Sequence, residues 1–244
     1  MQTTKNTILI TGGTSGIGLA FAKEFVQLEN RVIICGRREN RLETIKEKLP
    51  DIIIKVCDIT NASEREALAH WVLQNHPDVN VLINNAGIQL KTDLTHQIDH
   101  DKVRAEVETN FVAPVHLTSL FAQHFTEKDE AAIINISSGL AFTPMAVVSV
   151  YCATKAALHS ITLSLRHQLR NTSVKVFEIA PPAVDTELGY QNRQDAAQTH
   201  GGIPVQVFIK GAMEALKNDE FEAALDTAKH LHEKREEMFA MLNH

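Results

Sequence analysis

Tyr151 and Lys155 stand four residues apart in a stretch patterned as a helix beginning near Val150. At that spacing both side chains share one helix face, a single turn from each other. An ammonium beside a phenol favours the phenolate, which would draw a tyrosine pKa down from its usual ~10 toward the range of a working acid/base. Just upstream, the apolar run Ala131–Ile136 reads as a buried strand of a parallel sheet and breaks into Ser137-Ser138-Gly139. Ser138 is thereby placed at the carboxyl end of its strand, the edge where open α/β sheets bind ligands. A Tyr-x-x-x-Lys pair by itself is common on helices, so its weight depends on the elements that would have to hold it.

Those elements alternate short β-rich runs with longer helical patterns, which predicts a doubly wound sheet. Strands are expected at Thr7–Thr11, Arg31–Gly36, Asp51–Val56, Val79–Ile83, Ala131–Ile136 and Ser173–Ile179. Helices are expected from the glycine loop to about Glu29, over Glu39–Leu49 and Ser63–Asn75, over about His100–Phe125 with Pro114 bending it, and from Val150 to about Arg170. Each strand ends in something polar, glycine-rich or proline-rich: Gly12, Gly36, Asp58, Asn84, Ser138 and Pro181. Polar groups at successive carboxyl ends are what a ligand crevice along one sheet edge needs. Gly12, Gly16 and Gly18 lie directly between the first strand and its helix. There they permit a tight turn and leave the first helical amides free to meet a pyrophosphate.

Composition narrows the classes. The chain has 244 residues, 44% of them hydrophobic, enough for one large core in a single domain. A formal charge of −6 supplies no basic field for nucleic acid or an anionic membrane. No apolar run approaches the ~20 residues of a membrane span, so no membrane insertion is expected. The first strand by Thr7 leaves no room for a signal peptide. Cys35, Cys57 and Cys152 are odd in number and scattered, which argues for reduced thiols and a cytoplasmic protein. The twelve histidines form no Cys/His cluster with zinc spacing, and His230 and His232 face different ways on a helix, so no metal is expected.

Taken together, Thr11-Gly12-x-x-x-Gly16-x-Gly18, Asn84-Asn85-Ala86-Gly87, Asn110, Ser138 and Tyr151-x-x-x-Lys155 resemble the compact, single-domain branch of the short-chain dehydrogenase/reductase family. The match spans about residues 5 to 188, with Ser138 thirteen positions before Tyr151, as in the family. The resemblance implies an α/β, Rossmann-type doubly wound, mainly parallel sheet of six to seven strands with helices on both faces. It implies a catalytic set of Asn110, Ser138, Tyr151 and Lys155. Tyr151 would be the general acid or base; Lys155 would lower its pKa and hold the nicotinamide ribose. Ser138 would bond the reacting carbonyl oxygen, and Asn110 would support a water-linked proton path to Lys155. The cofactor would be held by Gly12, Thr14, Ser15, Gly16, Ile17 and Gly18 in the first loop, and by Arg37 and Arg38. Asp58 and Ile59, then Asn84, Ala86 and Gly87, then Pro181, Val184 and Thr186 would complete its site, with Tyr151 and Lys155.

Which dinucleotide binds can be argued from charge. Folds selecting NAD usually place an acid after the second strand to bond the ribose 2′-OH. Here Gly36 is followed by Arg37 and Arg38, which suit a 2′-phosphate, so NADP(H) is favoured over NAD(H). The alternative is that both arginines merely begin a solvated helix.

Three departures bear on the reading. Pro181-Pro182 stands where the family usually has Pro-Gly, and Ala113 replaces a common glycine. The usual final strand is also absent. Glu220–Leu225 is a short candidate strand and is followed by a charged helical tail over 226–242. With the run from Pro181 to Leu188, Pro-Pro-Ala-Val-Asp-Thr-Glu-Leu, this tail makes the chain resemble a bacterial subset of DltE-type oxidoreductases. This tail favours a homodimer through the helices bearing Asn110 and Tyr151, with a tetramer as the alternative.

The expected substrate is a small or medium, mostly apolar carbonyl compound or its alcohol. Its walls would be Gly139–Val148, Ile88–Leu90 and a lid near 188–202 carrying Arg193 and His200. A rival is an acidic or sugar-like substrate held by Arg193. From a different class comes a dinucleotide-binding sensor or scaffold with little turnover; oxidation of NADPH by a panel of carbonyl compounds separates the two.

Overall fold

The computed structural model describes residues 1–189 and 201–244. Its seven strands are β1 (Thr7–Thr11), β2 (Arg31–Gly36), β3 (Ile53–Val56), β4 (Val81–Asn84), β5 (Ala131–Ile136), β6 (Val174–Ala180) and β7 (Glu222–Ala224). They form one sheet in the order β3-β2-β1-β4-β5-β6-β7, every neighbouring pair parallel. The chain reverses its direction of travel between β1 and β4, and the crevice opens beyond their carboxyl ends.

Alternation along the strands builds a core on each face. Ile8 and Ile10 of β1 join Phe21, Phe25, Phe177 and Phe208, whereas Leu9 points the other way to join Leu82, Phe121, Phe125 and Ile133. A strand covered on both faces has no polar side to show, so β1 and β5 are buried throughout. The layers come from α1 (Gly16–Gln27), α2 (Glu39–Lys48), α3 (Ala62–Asn75), α4 (His100–Val107), α5 (Ala113–Thr126) and α6 (Ser149–Gln168).

Four findings differ from the sequence reading. The long helix expected over His100–Phe125 is interrupted by a π turn at Glu108–Val112, where the Ala113 amide donates to the Glu108 carbonyl five residues back. Pro114 explains the interruption. It has no N–H to give the Asn110 carbonyl, and its ring would crowd that carbonyl in a continuous α-helix. Second, α7 (Val205–Lys217) was not anticipated; its Phe208 meets Phe21 of α1 edge-on, with ring centres 6.4 Å apart. Third, the helical tail is divided. α8 (Thr227–Lys234) ends at Arg235, whose φ of 46° breaks the helix, and a 3₁₀ turn at Arg235–Met238 leads to α9 (Phe239–Leu242). Fourth, Ala146–Gln168 is long and apolar enough to qualify as a membrane span by length and composition. In the fold it supplies α6, with Tyr151, Lys155 and Leu158 packed inward.

Candidate active site

Local sequence dictates the shape of the first loop. Gly12 adopts φ +67°, and a Cβ there would lie 2.8 Å from the Ala86 Cα. The Thr11 hydroxyl accepts from the amides of Asn85 (3.0 Å) and Ala86 (3.1 Å), which locks the loop after β4 against the end of β1. Around this junction runs a cleft of about 360 Å³. Of the residues expected to hold a cofactor, its walls include Gly12, Thr14, Ser15, Gly16 and Ile17, then Arg37, Arg38, Asp58 and Ile59. Ala86, Gly87, Tyr151, Lys155, Pro181, Val184 and Thr186 continue it.

Two expected cofactor residues are not on these walls. Asn84 is buried, its amide donating to Asn135 (2.8 Å) and Thr118 (3.2 Å). As the last strand residue it points into the helical layer, and the next residue, Asn85, takes the place in the cleft. Gly18 serves packing: a Cβ would sit 2.3 Å from the Asn85 amide nitrogen and 2.5 Å from the Gly12 carbonyl oxygen.

The catalytic candidates converge from three elements. Ser138 follows β5, with its hydroxyl accepting from the Leu140 amide at 3.1 Å. Its hydroxyl also favours the phenolate of Tyr151, from the first turn of α6. Lys155, one turn on, donates to the Ile136 carbonyl at 2.8 Å, its nitrogen 5.7 Å from the centre of the Tyr151 ring. Asn110 is fully buried in the π turn. It accepts from the Ile88 amide at 2.9 Å and donates to the Ile88 carbonyl (2.9 Å) and the Thr154 hydroxyl (3.1 Å). It is therefore a clip between the loop after β4 and α6, behind the wall of the cleft.

The electrostatics correct one expectation. Among the protein's own groups, burial pushes the Tyr151 phenol up, against the opposing influence of Ser138. Burial likewise pushes the Lys155 ammonium down to about 8, with the charge of Glu178 opposing it. Loss of water dominates both groups, so no lowering of Tyr151 by Lys155 is found. A raised phenol is protonated at neutral pH and able to donate.

At the far end of the cleft, Arg38 donates to the hydroxyls of Thr14 (3.0 Å) and Ser15 (3.2 Å). Glu187, which the sequence reading missed, lies against Arg38 (3.3 Å) and Arg41 (2.7 Å). No short pattern marks it; only folding brings it beside α2. Arg37 is more exposed and stands 3.9 Å from Asp58. A glycine loop without side-chain obstruction and this cationic end fit a dinucleotide: the loop would take the pyrophosphate, Tyr151 and Lys155 the nicotinamide ribose.

The substrate end departs from expectation. Gly139, Phe142 and Thr143 are turned away from the cleft, beneath α8: a Cβ on Gly139 would meet that of Ala228 at 2.8 Å. The Thr143 hydroxyl lies within hydrogen-bond reach of the carbonyls of Leu231 (3.1 Å) and Arg235 (2.9 Å). Of the expected wall, Leu140, Met145 and Val148 remain near the chemistry, packed with Leu188 around Tyr151 and Cys152. Ile88, Gln89, Leu188 and Gly189 line the cleft there, whereas Leu90 does not. Arg193 and His200, with most of the expected lid, lie outside the described residues.

Comparisons with known proteins show the family and the fold. Residues 6–197 match a family model described as short chain dehydrogenase. The uncharacterized oxidoreductase DltE of Bacillus subtilis is 51% identical over 91% of this chain and 88% of its own. The NADP-dependent 3-hydroxy acid dehydrogenase YdfG of Escherichia coli K12 is 32% identical over 72% of each chain. Among solved structures, a short-chain dehydrogenase from Sphingobium yanoikuyae in complex with NADPH superposes with a TM-score of 0.81 at 25% identity. That alignment covers 89% of this chain and 86% of the other.

Proposed function

The chain belongs to the short-chain dehydrogenase family, and from that premise we propose an NADP(H)-dependent oxidoreductase interconverting a small or medium, mostly apolar carbonyl compound and its alcohol. The observation that carries the proposal is the convergence of Ser138, Tyr151 and Lys155 on one wall of the cleft, with Lys155 one helical turn behind Tyr151. Bound in the cleft, the nicotinamide supplies or accepts the hydride.

The remaining work falls to the chain. In the reducing direction the Ser138 hydroxyl donates to the substrate oxygen as negative charge gathers there. Tyr151 then gives that oxygen its proton, for which a raised phenol is in the right form. Lys155 carries donors toward the ribose, and Asn110 holds the Ile88 loop of the wall in place. At the adenosine end, Arg38 with Thr14 and Ser15, and no carboxylate at Gly36, supports a 2′-phosphate. For the substrate, support comes from the apolar group of Leu140, Met145, Val148 and Leu188 around Tyr151.

YdfG is by its name a dehydrogenase of 3-hydroxy acids. Among the described residues, the substrate end of the cleft has Lys155 as its cation, and that nitrogen is tied to the Ile136 carbonyl. A neutral substrate fits this better than a carboxylate. Steady-state rates with NADPH and matched neutral and carboxylate-bearing ketones test the choice, with Tyr151→Phe alongside. Neutral ketones should be preferred, and the variant should lose ~10²–10⁴ in kcat with NADPH affinity kept. A strong carboxylate preference, or a variant with a third of the original rate, would refute the corresponding part.

A further inference from the structure

Behind the catalytic helix, on the side away from the cleft, four side chains from four elements meet: His159 of α6, Glu178 of β6, Glu222 of β7 and His232 of α8. His159 Nδ1 lies 2.7 Å from Glu178 Oε2, and His232 Nε2 lies 2.7 Å from Glu222 Oε1. One ligating atom from each of His159, Glu178 and Glu222 falls within 4.8 Å of the others. We propose that these four residues form a binding site for a divalent transition ion of the zinc type, which fastens the carboxyl-terminal segment to the catalytic helix.

Three further observations support it. Glu178 and Glu222 are register partners on adjacent parallel strands, so the backbone itself sets two carboxylates side by side. Like charges so placed repel, and one divalent ion would balance both. Second, Glu178 is fully buried, and its second oxygen, Oε1, has no hydrogen-bond partner. A buried carboxylate oxygen left without a donor is costly, and a cation is a partner it would accept. Third, the rings are already oriented: Phe142 packs edge-on against both His159 (4.9 Å) and His232 (4.5 Å).

The donor set selects the ion. Two imidazoles disfavour magnesium and calcium, which want oxygen alone, and suit zinc. Four protein ligands make a closed, structural site. Zinc bonds near 2.0–2.1 Å place tetrahedral ligand atoms roughly 3.3 Å apart, so each 2.7 Å pair would open by about half an ångström. The wider separations, up to 4.8 Å among His159, Glu178 and Glu222, would close, and His232, outside that group, would move in. The side chains of Glu222 and His232 are 25% and 33% exposed, which leaves an entrance. No sequence spacing could announce this site, because its ligands lie on four separate elements.

The test uses the full chain, stripped with a chelator and titrated with zinc alone. We expect about one zinc per chain, a rise in melting temperature on adding zinc, and no such rise with magnesium. Glu222→Gln combined with His232→Gln changes only the half-exposed rim and should weaken zinc binding by at least about tenfold and abolish the thermal shift. Cobalt substitution reads the ligands in the unaltered chain: tetrahedral visible bands without a thiolate charge-transfer band are expected. Zinc at background level, retention by the double variant equal to the original, or a thiolate band from Cys35, Cys57 or Cys152 would each overturn the proposal.

Discussion

Arg38 is fixed before any ligand arrives, because Thr14 and Ser15 hold its guanidinium and Glu187 lies against it. A charge-assisted hydrogen bond is worth ~1.5–3 kcal/mol, so Arg38→Ala should raise the KM for NADPH about tenfold or more and leave that for NADH nearly unchanged. An equal loss with both cofactors would make Arg38 a support of the loop only. Lys155 presents the opposite balance, usefulness against stability. Burial holds its folded pKa at about 8, below the usual 10.5. Below pH 8 both folded and unfolded chains carry the proton, and folding bears a constant cost of about 3 kcal/mol. Between about 8 and 10.5 only the unfolded chain still binds it, so this contribution to stability rises with pH and the cost is gone above that window. Lys155→Met should therefore melt higher than the original at pH 7, lose turnover, and show a smaller rise in stability from pH 8 to 10. Parallel stability–pH curves for the two proteins would show that Lys155 carries no such cost.

At the scale of elements, the π turn at Glu108–Val112 determines where Asn110 sits. Its side chain clips Ile88 to Thr154, and so aligns the loop after β4 with the helix bearing Tyr151 and Lys155. Pro114 forbids the α-helical alternative. Pro114→Ala restores the donor that a continuous helix needs, turning Asn110 away from Ile88 as the turn closes. We expect kcat to fall about tenfold from misplacement, with the melting temperature held or raised. A variant with unaltered kcat would show that the turn persists without its proline. The motif residues were legible in the sequence, but the turn was not: Pro114 suggested a bend without revealing its type. Likewise α7 went unread, although Phe208, Ile209, Ala212, Met213 and Leu216 are spaced as the buried face of a helix, because they follow a long polar stretch that carries no motif.

For the whole molecule, α6 poses a question of cover. It is apolar enough to qualify as a membrane span, yet only 39% of its most apolar window is buried inside the fold. Its outward positions include Ala153, Ser160, Leu163 and Ser164, none charged, with Leu163 43% exposed. Small uncharged residues on a long helix suit close approach by a second copy, whose equivalent face would pair with this one about a two-fold axis. We expect a homodimer through α5 and α6, sedimenting at twice the mass of one chain. Leu163→Glu should shift it toward monomer, since the change buries an unpaired charge at the contact. A monomer in the original chain, or a dimer indifferent to Leu163→Glu, would exclude this contact.

The sequence by itself determined the order of the first six strands and the main helices between them, the glycine loop, and the presence of Ser138, Tyr151 and Lys155 at one sheet edge. Those are consequences of local period and short spacing, which neighbouring residues carry among themselves. Tertiary structure decided what depends on distant residues sharing one space. It placed Asn84 within the helical layer and Asn85 in the cleft, by the alternation at the very end of β4. It packed Gly139, Phe142 and Thr143 beneath α8, so that part of an apparent substrate wall became the seat of the tail. It brought Glu187 to Arg38 across 149 positions, and Glu222 beside Glu178 through strand register. It also set the ionisation of Tyr151 and Lys155, because the removal of water, which only a folded interior can impose, outweighs the proximity of one side chain to the other.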